Sequence, residues 1–138
     1  MYLILGSEGF LGKAISLALK ESNHNVMTVD IVGEPDHKID LINDFSTLIS
    51  IFQNYSPRFV INLAAYSNSS ACDKHAKHVY ALNVSFVGML VDLCNSSGVE
   101  CLFHASSEWI YGPGPIYEAT AKDAYFFYHR NLDLYSRS

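Results

Sequence analysis

Charge is scarce in this chain, and no stretch of it is strongly basic. Only 17% of its 138 residues are charged, nine basic against fourteen acidic, for a formal net charge of −5. Binding a nucleic-acid backbone takes clustered Lys and Arg, so that partner is not expected. Cysteine is scarce too. Cys72, Cys94 and Cys101 are an odd number at spacings unlike those of a metal site. They argue against a disulfide framework and for reduced, packed thiols in an intracellular, cytoplasmic protein. No apolar stretch approaches the length of a membrane span, so no membrane partner is expected. Glu8 and Gly12 interrupt the apolar residues at the N-terminus, and no basic region precedes them, which argues against a signal peptide. No Gly-x-Ser-x-Gly or Cys–His arrangement suggests a hydrolase. Repeats and low-complexity segments are missing as well. What remains is a chain 49% hydrophobic, with the size and composition of one compact domain.

Periodicity divides that domain into alternating elements. Tyr2-Leu3-Ile4-Leu5 is a short apolar run stopped by Gly6, as expected of a buried parallel strand. Phe10, Ala14, Leu17 and Ala18 follow at helical spacing, and the pattern fades at Ser22-Asn23. A second strand is predicted over residues 26–29, ending at Asp30, and a short third over 38–41. Asp44 is a suitable N-cap for a helix whose Phe45, Leu48, Ile49 and Phe52 form one stripe. Pro57 breaks that pattern before a fourth strand over 59–63. A long helix then carries Val79, Leu82, Phe86, Leu90 and Leu93 on one face, with Gly98 past its end. A fifth strand begins at Cys101 and runs into Ala105-Ser106-Ser107. Beyond Gly112-Pro113-Gly114-Pro115 the regularity is lost, with helical structure resuming near Leu132. Strands alternating with helices imply an α/β fold, a doubly wound parallel sheet of the Rossmann type.

The sharpest motif is Gly6-Ser7-Glu8-Gly9-Phe10-Leu11-Gly12, a G-x-x-G-x-x-G between strand and helix. Gly6 permits a tight turn, Gly9 lets a pyrophosphate approach the backbone, and Gly12 lets helix and strand pack closely. The phosphates of a dinucleotide would face the exposed N–H groups of the helix. Asp30, ending the second strand, is placed to bind the adenosine ribose hydroxyls. A carboxylate there would repel the 2′-phosphate of NADP, and no Arg follows it. The cofactor expected is therefore NAD.

In these residues the chain resembles the extended short-chain dehydrogenase/reductase family, as the N-terminal part of a longer member. That family includes NAD-dependent nucleotide-sugar epimerases, dehydratases, decarboxylases and reductases. Residues 6–12 match its glycine loop, including the Phe10-Leu11 pair before Gly12. Asp40-Leu41 resembles the segment that touches adenine, and Leu63-Ala64-Ala65-Tyr66 the strand end that lines the cofactor. Asn83-Val84 matches a helix pair whose Asn supports the active site; the same residue also reads as a buried amide tying helix to loop. Ser106 to Gly112, with Trp109-Ile110-Tyr111, resembles the fifth-strand signature.

The resemblance implies a catalytic Ser or Thr, a Tyr, and a Lys four residues after that Tyr. Ser107, four residues before Tyr111, falls on the hydroxyl position. Tyr135-Ser136-Arg137-Ser138 resembles Tyr-x-x-Ser-Lys, making Tyr135 the expected general base or acid, with its Lys at residue 139. The expectation is a chain cut inside its catalytic motif, without the substrate-binding region. Trp109 stands where dehydratases of this kind carry a Glu, and only Glu108 keeps an acid nearby. The activity expected is epimerisation of a nucleotide sugar, with a reductase, a dehydratase or a non-catalytic NAD-binding module as alternatives. His75 and His78 stand at i and i+3 without a third ligand nearby, so they read as a solvated face and no metal is expected. Family members often dimerise through the long helix, which makes a homodimer possible here.

Overall fold

The computed structural model describes residues 1–67 and 74–107. Five parallel strands form one sheet in the order β3-β2-β1-β4-β5. They are β1 (Tyr2–Leu5), β2 (Val26–Asp30), β3 (His37–Lys38), β4 (Phe59–Asn62) and β5 (Cys101–His104). The helices are α1 (Phe10–Glu21), α2 (Phe45–Tyr55) and α3 (Ala76–Ser96). The doubly wound fold predicted from the sequence is the one observed.

Each helix ends for a local reason. Asn23 takes a left-handed φ of 58° after α1, and its N–H reaches the Lys20 carbonyl. Ser56 does the same after α2 at φ 46°, and Pro57 prevents continuation. Gly98, at φ 70°, closes α3 as the sequence predicts.

The main core lies on one face of the sheet. Leu3, Leu5, Val29 and Val60 from the strands meet Leu48, Ile51 and Phe52 of α2 and Phe86, Leu90 and Cys94 of α3. Alternation along β1 and β2 turns Ile4 and Thr28 to the opposite face. Right-handed crossovers put α1 there, where its buried residues are the small Gly12 and Ser16. That close packing is the reason for a glycine at position 12.

Three sequence readings need correction. β3 is shorter and earlier than residues 38–41. The Asp36 carboxylate accepts the Thr28 N–H (2.9 Å) and hydroxyl (2.8 Å), which brings the chain alongside β2 by His37. Asp40 then accepts the Ile42 N–H (2.9 Å) and turns the chain out of the sheet. Asp44 precedes α2 but bonds the side-chain hydroxyls of Ser46 and Thr47 rather than a helix N–H. Finally, α3 is 21 residues long with mean hydropathy 1.3, enough by length and composition to cross a membrane. Here Val79, Phe86, Leu90 and Cys94 are buried in the protein, and the helix closes the sheet.

Candidate functional site

Sheet order places the site. From β1 the chain moves one way to β2 and β3 and the other way to β4 and β5. At such a switch point the loops leaving the strand ends diverge, and a crevice opens between them. Here it measures about 460 Å³.

The glycine loop forms its floor. Gly6, at φ 79°, turns the chain sharply as it leaves β1, and its N–H bonds the Val29 carbonyl at 2.9 Å. A Cβ on Gly6 would lie 2.7 Å from the Ala64 nitrogen and 2.8 Å from the Leu63 carbonyl carbon. The ends of β1 and β4 are therefore as close as backbone allows. Gly9 caps α1 with no side chain, and no acidic residue stands in the first turn. The first N–H groups of α1 are thus left for an anion. Gly12 lies under the loop rather than in the crevice, against Gly6 and Ser7. Phe10 and Leu11, named by the sequence, are 91% and 54% exposed and do not line the crevice among the described residues.

Asp30 ties this loop to the next. Its Oδ2 accepts the Glu8 N–H at 2.8 Å, and its Oδ1 accepts those of Ile31 (2.7 Å) and Val32 (3.2 Å). A carboxylate so held faces the crevice in a fixed orientation. Asp40 and Leu41 follow on the far wall. The Asn43 amide donates to Asp40 at 2.8 Å and, with the Ile42 and Asn43 N–H groups, holds that carboxyl below its ordinary range.

Leu63, Ala64 and Ala65 form the opposite wall, and Asn83 secures the chain just beyond them. Its Oδ1 accepts the Tyr66 N–H at 2.9 Å and its Nδ2 donates to the Tyr66 carbonyl at 3.1 Å. Asn83 sits in a π-type turn, Ala81–Ser85, within α3. Such a widened turn is often found at functional sites. Ser107 is partly buried beyond the end of β5. Tyr135 lies outside the described residues, as do Glu108, Trp109 and Tyr111.

The structure also adds lining residues that sequence reasoning missed, notably Glu8, Asn43 and His78. His78 and Leu82, one turn apart on α3, both reach the crevice. That i, i+4 pair was the available signal, but with His75 at i−3 the sequence reads as a solvated helix face. The two rings stand 6.2 Å apart edge to face, and the described residues contain no group of three ligands.

Below the crevice, Asn62 is almost fully buried and joins β4 to β5. Its Oδ1 accepts the Ala64 N–H at 3.2 Å, and its Nδ2 stands 3.1 Å from His104 Nδ1. For that amide to donate, Nδ1 must be unprotonated. Partial desolvation also lowers the His104 pKa from 6.5. Folding therefore favours the neutral ring, and the unfolded chain takes up a proton first as pH falls. Stability is expected to decline as the solution is acidified below about pH 6.5. Urea denaturation across that range would measure it, and His104→Gln should flatten this part of the profile.

The crevice fits a dinucleotide. Glycine backbone and free helix N–H groups suit a pyrophosphate, the Asp30 carboxylate suits a ribose diol, and apolar Leu41 and Leu82 beside Asn43 suit a base. The model of the NAD dependent epimerase/dehydratase family matches residues 2–138. A probable low-salt glycan biosynthesis reductase, Agl14, of Haloferax volcanii is 26% identical over 113 residues, covering 78% of this chain and 37% of that protein. Among solved structures, a UDP-glucose-4-epimerase from Stenotrophomonas maltophila, with bound NAD and formylated UDP-arabinopyranose, superposes with a TM-score of 0.82. It is 19% identical and covers 99% of this chain and 44% of its own. The Thermus thermophilus UDP-glucose 4-epimerase in complex with NAD gives 0.81 at 22% identity, over 98% and 46%. The chain thus spans less than half the length of these relatives.

Proposed function

The chain belongs to the NAD dependent epimerase/dehydratase family, and on that footing we propose that it is the NAD-binding part of a nucleotide-sugar epimerase. The observation carrying this reading is the crevice itself, with the glycine loop, Asp30 and the β4 end converging at the switch point. Gly9 and the start of α1 would hold the pyrophosphate, Asp30 the adenosine ribose, and Asp40-Leu41 with the residues 63–65 the base and its surroundings. Asn83 would keep the β4 end in position through Tyr66. NAD, when bound, supplies a hydride acceptor for a sugar carbon and returns the hydride afterwards.

Two further residues complete the proposal. Ser107 would donate a hydrogen bond to the substrate oxygen, and Tyr135 would take the proton of that hydroxyl. A phenol has an ordinary pKa of about 10 and needs a nearby cation to act at neutral pH, a role the resemblance gives to a Lys four residues on. The region that selects the sugar would lie outside these 138 residues. A homodimer through α3 belongs to the same proposal, with Tyr80, Met89 and Val91 exposed on it.

The Haloferax relative favours a second reading, a nucleotide-sugar reductase. One assay separates them. The full-length protein is incubated with UDP-glucose and substoichiometric NAD and, in parallel, with a nucleotide keto sugar and NADH, and sugar products are followed together with cofactor redox state. The epimerase reading expects interconversion of sugar epimers without net NADH. Stoichiometric NADH consumption on a keto sugar would replace it with the reductase, and failure to bind NAD would sink both.

A further inference from the structure

Asn62 and His104 are register partners at the C-terminal ends of β4 and β5, and neither lines the crevice. We propose that they are positioning residues: their side-chain bond holds the β4 end that walls the crevice, and it forms only while His104 is neutral, so NAD binding weakens on acidification. The proposal rests on the reading that this crevice holds NAD, and it makes the grip on the cofactor depend on a ring outside the crevice.

The contacts run from solvent to the crevice wall. His104 is exposed, so protons reach its ring, whereas Asn62 is 1% exposed. The Asn62 Oδ1 accepts the Ala64 N–H at 3.2 Å, which fixes the way the amide points. Its Nδ2 is then left to donate to His104 Nδ1, 3.1 Å away. Ala64 is the residue whose nitrogen would lie 2.7 Å from a Cβ on Gly6, so a turn of its peptide disturbs the glycine loop directly. The Asn62 carbonyl also accepts the Ala105 N–H at 3.0 Å, just before Ser106 and Ser107. Both strand ends therefore hang on Asn62.

A proton on Nδ1 sets donor against donor, and no rotation of the amide relieves it. Flipped, the amide would accept from the imidazolium but turn its NH2 group on the Ala64 N–H. One of the two bonds is lost either way. Among the described residues, β4 carries no ionisable side chain and β5 adds only Cys101, while Arg58 and Glu100, 2.6 Å apart, pair with each other before the opposite ends of these strands. Of the helices on this face of the sheet, α2 offers Tyr55 and α3 offers Lys77, His78, Tyr80, Asp92 and Cys94. None of them acts on the His104 ring, whose pKa partial desolvation alone lowers from 6.5.

The test is calorimetric titration of the full-length protein with NAD across neutral and mildly acidic pH, for the wild type, His104→Gln and Asn62→Asp. Wild-type affinity should fall by up to about tenfold for each pH unit below the titration of the ring, the limit for one proton that binding excludes. Gln at 104 offers Asn62 an acceptor at every pH, and Asp at 62 accepts from Ala64 and from a protonated ring alike. Both variants should therefore flatten the profile. His78 lines the crevice in all three proteins, so the difference between wild type and variant is what counts. A wild-type slope that persists in either folded variant overturns the proposal. Nitrogen NMR of histidine-labelled wild type gives the reciprocal readout: saturating NAD should lower the His104 pKa and keep its proton on Nε2. A pKa unmoved by NAD overturns the proposal even if neither variant folds. A wild type that binds no NAD at any pH overturns the NAD reading itself, and this inference with it.

Discussion

Gly12→Ala is expected to cost about 3 kcal/mol or more of folding stability and to abolish nucleotide binding. A Cβ at this position would overlap the Gly6 carbonyl oxygen and lie 2.7 Å from both the Cα and carbonyl carbon of Ser7. All three obstacles are backbone. Gly6 cannot give way, because its own φ is 79° and its N–H is held by Val29. Relief would require α1 to move off the sheet, taking the first turn and its free N–H groups with it. Gly88→Ala is the control, since nothing lies within 4 Å of a Cβ there and the site is on the exposed side of α3. That change should stabilise by about 0.5–1 kcal/mol through helix propensity. Urea denaturation of the two variants, with NAD titration, would read both effects. Equal stability in the two would contradict the packing argument.

Asn83→Asp should destabilise the chain by about 2 kcal/mol at neutral pH and weaken nucleotide binding as well. The amide nitrogen now donates to the Tyr66 carbonyl at 3.1 Å. An introduced carboxylate keeps the bond to the Tyr66 N–H but sets oxygen against oxygen at the other. Its folded pKa would lie above the ordinary carboxylate value of about 3.9, because only the protonated acid can donate to that carbonyl. The sign follows directly. Below the unfolded pKa both states are protonated and the penalty is smallest; it grows as pH rises through the folded pKa. A difference from the wild type that shrinks on acidification would confirm the contact, and a pH-independent difference would count against it.

Much of this was legible in the sequence, for reasons that differ by residue. β1 and β4 read as apolar runs, with Leu3, Ile4, Leu5 and Val60 fully buried, and the glycine loop spells out its backbone requirements. Asp30 is a single residue at a strand end, fixed by motif spacing alone. β3 was displaced because Asp36 and Asp40 direct the chain through side-chain bonds, which hydrophobic periodicity does not register. Asp44 had the right identity for a cap, but neighbouring hydroxyls compete for its carboxylate. Phe10 and Leu11 matched the glycine loop in letter, while helix geometry turns them outward. Glu8 came into view only with the loops folded together, whereas the spacing of His78 to Leu82 was present in the sequence but looks the same on a solvated helix face.

The near contact between Gly6 and the β4 end has a kinetic meaning too. β1 pairs in parallel with β2 and with β4, and a whole helix or more of chain must close before either pairing forms. Non-local pairings of this kind cost loop entropy first and reward the chain late. The crevice is assembled from those pairings, so it should not exist in early, partly collapsed states. A nucleotide that fits it would then leave the refolding rate nearly unchanged and slow unfolding instead, acting as a brake on the way out rather than a template on the way in.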